Sequence, residues 1–273
     1  MAVTAFQSYL LRLLAGTRRE RGDSYVAGGV ALNILLDGAR RSRDIDLFHD
    51  SETALAASWQ ADRERLLADG SGVRVFREAP SFVEAVVTKG AERTVLQWAR
   101  DSVFRFFPLM EDALMGLTLH PFDLATNKVL AMAGRLEVRD WVDLLACDER
   151  LQPLGLLVWA ACGKDPGYNP FSLLAEVGRH HYSHAETALL DYEGEPPDAA
   201  ALNRKWHGSL ADADAFCRLL PADQVGTCVL ACDRTLFRGT VGELEKEVSL
   251  NSILFHEGCL AGAWPSARQL NGV

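Results

Sequence analysis

Asp44 and Asp46 stand two residues apart in a β-type setting made by Arg43, Ile45, Leu47 and Phe48. Side chains alternate along a strand, so both carboxylates leave the same face. Two adjacent anions repel each other, and a divalent cation relieves that repulsion. Hard oxygen donors of this kind suit Mg²⁺ or Mn²⁺. Upstream, Gly28-Gly29 precedes an apolar helical run, Val30 to Leu36. A glycine turn into a helix presents free backbone N–H groups, which favour an anion such as phosphate. A phosphate cradle beside a metal-binding carboxylate pair is what nucleotidyl transfer requires.

Each of these residues also has a plain structural use. Asp-x-Asp occurs by chance at solvated strand ends, and Gly-Gly is the default tight turn. Arg40, Arg41 and Arg43 are either surface charge or, beside the carboxylates, guanidinium forks shaped for triphosphate oxygens. Ser42 either hydrogen-bonds a phosphate or caps the turn. Lys128 lies in an apolar helical run, LATNKVLAMAG, where it either snorkels to solvent or reaches a phosphate. Asp140 and Asp143 share a helix face; Asp140 reads as an N-cap and Asp143 as a first-turn dipole partner. His180, His181 and His184 form H-H-x-x-H. With no Glu at position 181 there is no general base, and a polar helix face is favoured over a zinc site.

These residues need a scaffold, and 273 residues with 48% hydrophobic content supply one large domain or two ordinary ones. The net charge of −9 gives no general affinity for nucleic acid or acidic membrane, so a nucleic-acid substrate would need a local basic patch. Positive charge is nearly all Arg; Lys89, Lys128, Lys164, Lys205 and Lys246 are the only lysines. The opening stretch, interrupted by Arg12, reads as an amphipathic helix rather than a signal peptide. No apolar run is long enough to span a membrane. The six cysteines include no C-x-x-C pair, so a cytoplasmic setting with small core thiols is expected; Cys228 and Cys232 are read onto one helix face.

The pattern predicts a helix over 4–15, a strand over 24–27, a helix over 30–36 ended by Gly38, a strand over 45–48 and a helix over 52–69. Strand-like runs follow at 73–77, 82–88 and 93–99, the last two joined as a hairpin through Lys89-Gly90-Ala91. Helices are predicted over 124–136 and 140–147, and beyond about residue 150 the pattern is almost wholly helical. The fold class expected is α+β with a small mixed sheet. Residues 1–150 are read as one domain and residues 151–273 as a helical C-terminal domain.

Four segments in order, GGVALNILL, RRSRDIDLF, HPFDLATNKVLAMAGR and RDWVDLL, resemble the AbiEii/AbiGii family. These are nucleotidyltransferase-like proteins of the DNA polymerase β superfamily, many of them toxins of toxin–antitoxin and phage-defence systems. The resemblance covers residues 24 to 147. It implies a polymerase β-like nucleotidyltransferase domain followed by a mainly helical region. It places Gly28 and Gly29 in the nucleotide-phosphate loop, Asp44 and Asp46 on the catalytic Mg²⁺, Lys128 on the nucleotide phosphates, and Asp143, with Asp140 close by, in the last acidic motif. It implies a nucleoside triphosphate substrate and an antitoxin partner; tRNA, a protein hydroxyl and a small molecule stay open as acceptors.

The chain departs from the pattern twice. Val30 stands where the family usually has Ser or Thr, so a hydroxyl contact to phosphate is lost. Gln97 stands where polymerase β-like sites take a third carboxylate, with Asp101 as a substitute four residues on. A neutral amide is a poorer Mg²⁺ ligand than a carboxylate. The sequence reading is therefore a Mg²⁺-dependent nucleotidyltransferase with Gly28, Gly29, Ser42, Arg43 and Lys128 on the phosphates. The alternatives are a catalytically weak nucleotide-binding descendant and a helical interaction module carried by residues 150–273.

Overall fold

The apolar positions Phe6, Leu10, Leu11, Leu14 and Ala15 recur at helical spacing, and all are buried on helix α1 (Ala5–Arg21) of the computed structural model, which describes residues 3–38 and 40–265. Thr4 caps α1 in a capping box with Gln7, and Gly22 ends it in the left-handed conformation. The helix outruns the predicted 4–15 because Arg18, though charged, turns inward and pairs with the buried Asp62. Strand β1 (Ser24–Ala27) leads straight into α2 (Gly28–Leu35), then β2 (Asp44–His49), α3 (Glu52–Ala68), β3 (Gly72–Ala79), β4 (Phe82–Lys89) and β5 (Glu92–Arg100). After β6 (Phe104–Arg105) come β7 (Met110–Asp112) and β8 (Gly116–Thr118).

Among the described residues the chain forms two compact units. The first comprises 3–103, 109–120 and 191–194; the second comprises 104–108, 121–190 and 195–265. The first unit is built on a seven-stranded mixed sheet in the order β3-β4-β5-β2-β1-β8-β7. Strands β1 and β2 are antiparallel, β2 and β5 parallel, and β4–β5 is the predicted hairpin. Period-two alternation gives the sheet two different faces. Ile45, Leu47, His49, Val83, Ala85, Val87, Leu96 and Trp98 are buried on the face that α1 and α3 cover. Asp44, Asp46, Phe48, Glu84, Val95 and Gln97 lie on the other face and are half-buried. Full burial of each large apolar side chain contributes about 1.5–3 kcal/mol, which fixes the register of β2 and with it the face from which both aspartates project.

A polar network sits inside the covered layer. Arg18 donates to Ser58 Oγ at 2.8 Å, and Trp98 Nε1 donates to Asp62 Oδ2 at 2.8 Å. His49 lies 3.0 Å from Ser24 Oγ; burial, then the charge of Arg18, lowers its pKa from 6.5 to about 3.

The second unit contains α4 (Pro121–Arg135), α5 (Val138–Arg150), α6 (Leu154–Ala161), α7 (Pro170–Val177), α8 (His184–Ala188), α9 (Ala199–Leu219) and α10 (Val241–Ser249). Leu156, Trp159, Phe216, Cys217, Leu220, Val229, Phe237 and Leu244 form a buried cluster among them. Short strands break the expected helical run: β9 (Cys228–Leu230) pairs with β10 (Leu254–His256), and β6 pairs with β11 (Cys259–Leu260). Cys228 is thus on a strand and Cys232 in a turn, not on one helix face. The cause is tertiary pairing, since the C-V-L run finds a strand partner 26 residues downstream, with Cys228 opposite His256. Cys147, Cys162, Cys217 and Cys228 are buried free thiols, and burial pushes Cys162 and Cys217 up to about 12. Cys232 and Cys259 are exposed, unlike the expected core thiols. The H-H-x-x-H stretch does not share a helix face either, because Ser183 caps α8 and the helix begins only at His184.

Candidate active site

The sharp passage from β1 into α2 depends on Gly28, whose φ of +65° lies in the left-handed region that L side chains avoid. The turn is also crowded. A Cβ on Gly28 would overlap Asp46 Oδ2 and come 2.6 Å from Asp46 Cγ. A Cβ on Gly29 would come 2.6 Å from the Arg40 guanidinium and 2.9 Å from Ser42 Oγ. The two glycines therefore let a carboxylate, a guanidinium and a hydroxyl close around the first turn of α2. Ala27, at the N-cap position of α2, provides no side-chain cap, in contrast to Thr4 on α1 and Ser51 on α3. The first N–H groups of α2 point where an anion is favoured.

Strand register sets the acidic residues. Ala27 is opposite Asp46 across β1–β2, which brings that carboxylate to the glycine turn. Ser42 Oγ donates to Asp44 Oδ1 at 3.0 Å, and Gln7 Nε2 donates to the Ser42 carbonyl at 2.8 Å, fixing the approach to β2. The first unit thus brings together Gly28, Gly29, Ser42, Asp44 and Asp46. Arg43 is exposed, and its carbonyl accepts from Thr94 Oγ1 at 3.3 Å. Arg40 is the arginine packed at the glycine turn: it is 4% exposed, and its backbone bridges to Tyr192. Sequence reasoning left Arg40 in a general cluster; the R-x-S-R spacing alone does not say which guanidinium turns inward.

The β2–β5 register puts Gln97 directly opposite Asp46. Gln97, the residue that the sequence resemblance sets against a third carboxylate, donates its Nε2 to Glu84 Oε2 at 2.9 Å. Asp101 does not stand in for it. It follows the end of β5, with its N–H on the His49 carbonyl, and four residues of strand put it roughly 13 Å along from Gln97. Val30 is fully buried, so that position serves packing.

Among the described residues no group of three or more His, Cys, Asp or Glu could hold a metal ion. Mg²⁺ does not need one. It is commonly held by one or two carboxylates together with substrate phosphates and waters, and Asp44 and Asp46 beside the N-terminus of α2 match that donor set.

The second unit holds the remaining predicted residues as one buried cluster. Lys128 Nζ on α4 lies 2.7 Å from Asp140 Oδ1 and 3.0 Å from Asp143 Oδ2 on α5. Arg135 grips Asp140 with two hydrogen bonds, at 2.7 Å and 3.0 Å. Burial pushes the Asp140 carboxyl upward, but Arg135 and Lys128 outweigh it and hold the group below the usual carboxylate range. Asp140 is not an N-cap. Glu137 occupies that position, Asp140 lies in the first turn of α5, and Asp143 lies one turn further on. A second buried lysine escaped the sequence reading. Lys164 pairs with Asp123 at 2.8 Å, and Asp123 accepts the Phe106 and Phe107 N–H groups at 2.9 Å and 3.0 Å.

Comparison with solved structures gives the same type of fold. MenT4, a nucleotidyltransferase toxin from Mycobacterium tuberculosis H37Rv, aligns with a TM-score of 0.52 at 19% identity, over 80% of this chain and 83% of that one. JHP933 from Helicobacter pylori aligns with a TM-score of 0.50 at 13% identity, over 79% of this chain and 95% of that one. The chain has a nucleotidyltransferase fold. No family model matches the chain, and no curated protein matches it in sequence.

Proposed function

We propose that this protein is a Mg²⁺- or Mn²⁺-dependent nucleotidyltransferase that moves a nucleoside monophosphate from a nucleoside triphosphate to an acceptor hydroxyl. The observation that carries this reading is the Asp46 carboxylate packed on the Gly28 turn, with Ser42, Asp44 and Arg40 around the same helix start. Asp44 and Asp46 would hold the metal, which when bound offsets the charge of the triphosphate and the leaving group. The Gly28 and Gly29 amides, Ser42, Arg40 and Arg43 would bind and orient the phosphates. The acceptor hydroxyl gives up its proton to water, its oxygen forms a bond to the α-phosphorus, the α–β anhydride bond breaks, and pyrophosphate leaves with that electron pair. On the sequence resemblance, Lys128, Asp140 and Asp143 belong to the same machinery, and residues 151–273 would serve the acceptor.

The toxin named among the similar structures, together with the sequence resemblance, supports a toxin role with an antitoxin partner. No helix among the described residues is long and apolar enough to cross a membrane, and a cytoplasmic site of action fits this reading. A second reading, nucleotide binding with little turnover, is favoured by the amide of Gln97 opposite Asp46.

A label-transfer assay tests both readings. The protein is incubated with Mg²⁺, each of four α-labelled nucleoside triphosphates, total tRNA and total cell protein. Label on an acceptor with wild type but not with Asp44→Asn/Asp46→Asn supports transfer. Nucleotide binding that this double variant loses, with no label moved, supports the weak descendant. The absence of both label and binding would refute the nucleotide reading.

A further inference from the structure

On the half-buried face of the first unit's sheet, one cross-strand row runs Asp46, Gln97, Glu84, Arg77 across β2, β5, β4 and β3. Neighbouring strands are about 4.8 Å apart, so Gln97 has Asp46 on one side and Glu84 on the other. The two ends of a primary amide are nearly equal in size, and its hydrogen bonds decide which way round it sits. Here the choice is forced. A carboxylate only accepts, so Glu84 takes the Gln97 NH₂ group at 2.9 Å. The planar amide then turns its carbonyl oxygen away from Glu84. Among the described residues, Gln97 Oε1 receives no hydrogen bond. Arg77, opposite Glu84 on β3, stacks its guanidinium over the Phe82 ring at 5.1 Å.

We propose that Gln97 supplies its amide oxygen as a neutral ligand to a divalent cation held by Asp44 and Asp46, with Glu84 as the positioning residue that keeps that oxygen facing the site. The proposal rests on the metal-pair reading of Asp44 and Asp46. Its logic is electrostatic as well as geometric. A carboxylate at position 97 would make three adjacent acids in one row, Asp46, residue 97 and Glu84. The amide keeps an oxygen donor there without the third charge. It also requires the partner at position 84 to be an acceptor, because a donor would turn the nitrogen toward the metal. The device resembles a metal-bound imidazole oriented by an outer carboxylate, where loss of the outer partner typically costs 10–100-fold in metal affinity.

The test is Mn²⁺ titration of the full chain, followed by electron paramagnetic resonance of free Mn²⁺, without nucleotide. Thermal unfolding of each variant checks that it folds. Gln97→Ala and Glu84→Ala are each expected to weaken Mn²⁺ roughly tenfold. In the Gln97→Ala background, Glu84→Ala is expected to change affinity less than about twofold, because nothing remains to orient. Gln97→Glu is expected to tighten Mn²⁺ binding. If wild type binds Mn²⁺ and Asp44→Asn/Asp46→Asn does not, but Gln97→Ala binds like wild type, this proposal fails and the metal-pair reading stands. If the effect of Glu84→Ala is undiminished in the Gln97→Ala background, Glu84 acts by charge alone and the positioning role is wrong. If wild type binds no better than the Asp44→Asn/Asp46→Asn chain, the metal-pair reading itself fails.

Discussion

Gly28→Ala separates backbone strain from active-site geometry, because other glycines in the same unit share its conformation but not its neighbours. Gly90, in the β4–β5 turn, has φ +60°, and a Cβ there would meet nothing within 4 Å. Gly90→Ala therefore carries only the left-handed penalty, about 1–2 kcal/mol. Gly28 has φ +65° and carries that penalty too, but its new methyl would overlap Asp46 Oδ2 and sit 2.6 Å from Cγ and 3.0 Å from Cβ. The Asp46 side chain must leave its rotamer well to clear Oδ2 and Cγ, and because rotation does not move Cβ, β2 must give slightly as well. That adds about 0.5–1.5 kcal/mol. The total is about 1.5–3.5 kcal/mol, or roughly 5–15 °C in Tm for a unit of this size. The functional loss is expected to exceed the stability loss. Mn²⁺ binding should fall at least tenfold in Gly28→Ala and stay at the wild-type level in Gly90→Ala, by thermal unfolding and Mn²⁺ titration on the same samples. Equal Tm losses in the two variants, with Mn²⁺ binding unchanged in both, would refute the packing of Asp46 on the glycine turn.

Three further outcomes follow from other contacts. Arg40→Gln should weaken nucleoside triphosphate binding roughly 10–100-fold, the scale of a lost charge-assisted hydrogen bond, while Arg43→Gln changes it less; fluorescence titration with a labelled nucleotide decides, and the reverse order sinks the assignment. Lys128→Met leaves Asp143 buried without its 3.0 Å partner and Asp140 with Arg135 alone, and should cost about 3–5 kcal/mol in denaturant unfolding; a change under about 1 kcal/mol would show that the cluster relaxes without its lysine. His49, lowered to about 3 by burial and by Arg18, stays neutral in the folded chain and takes up a proton on unfolding below about pH 6.5, so its contribution is complete above that pH and drains away as pH falls toward 3. At pH 5 the loss is about 2 kcal/mol. His49→Asn should flatten the pH 5–7 part of the stability profile, and an unchanged slope would contradict this.

The sequence was most legible where one period dominated. Strand 24–27, the β4–β5 hairpin and helix α3 are legible from a short run ahead of Gly28-Gly29, the Lys89-Gly90-Ala91 turn and an Ala-, Leu- and Arg-rich stretch, and the structure has them within a residue or two. The Asp44/Asp46 pair projects from one sheet face because Ile45 and Leu47 are locked into the other. Charge was harder to read. Arg18 and Lys164 carry polar letters but turn inward, and the carboxylate that receives each lies on another element; Arg40 also turns inward, against Gly29, with its guanidinium on the neighbouring Arg41 carbonyl. Cys228 and the H-H-x-x-H stretch failed for a related reason. A distant strand partner in one case, and the Ser183 cap in the other, decided local structure that four-residue spacing had assigned to a helix.

The proposed transfer moves the α-phosphate and needs Asp46 to do so. The most direct measurement supplies the same nucleoside triphosphate labelled at either the α- or the γ-phosphate, with Mg²⁺ and total cell RNA and protein, to wild type and to Asp46→Asn. Acceptor labelling is expected from the α-labelled substrate only, with labelled pyrophosphate released from the γ-labelled one, and neither with Asp46→Asn. Acceptor labelling from the γ position, or α-label transfer that persists in Asp46→Asn, would contradict it.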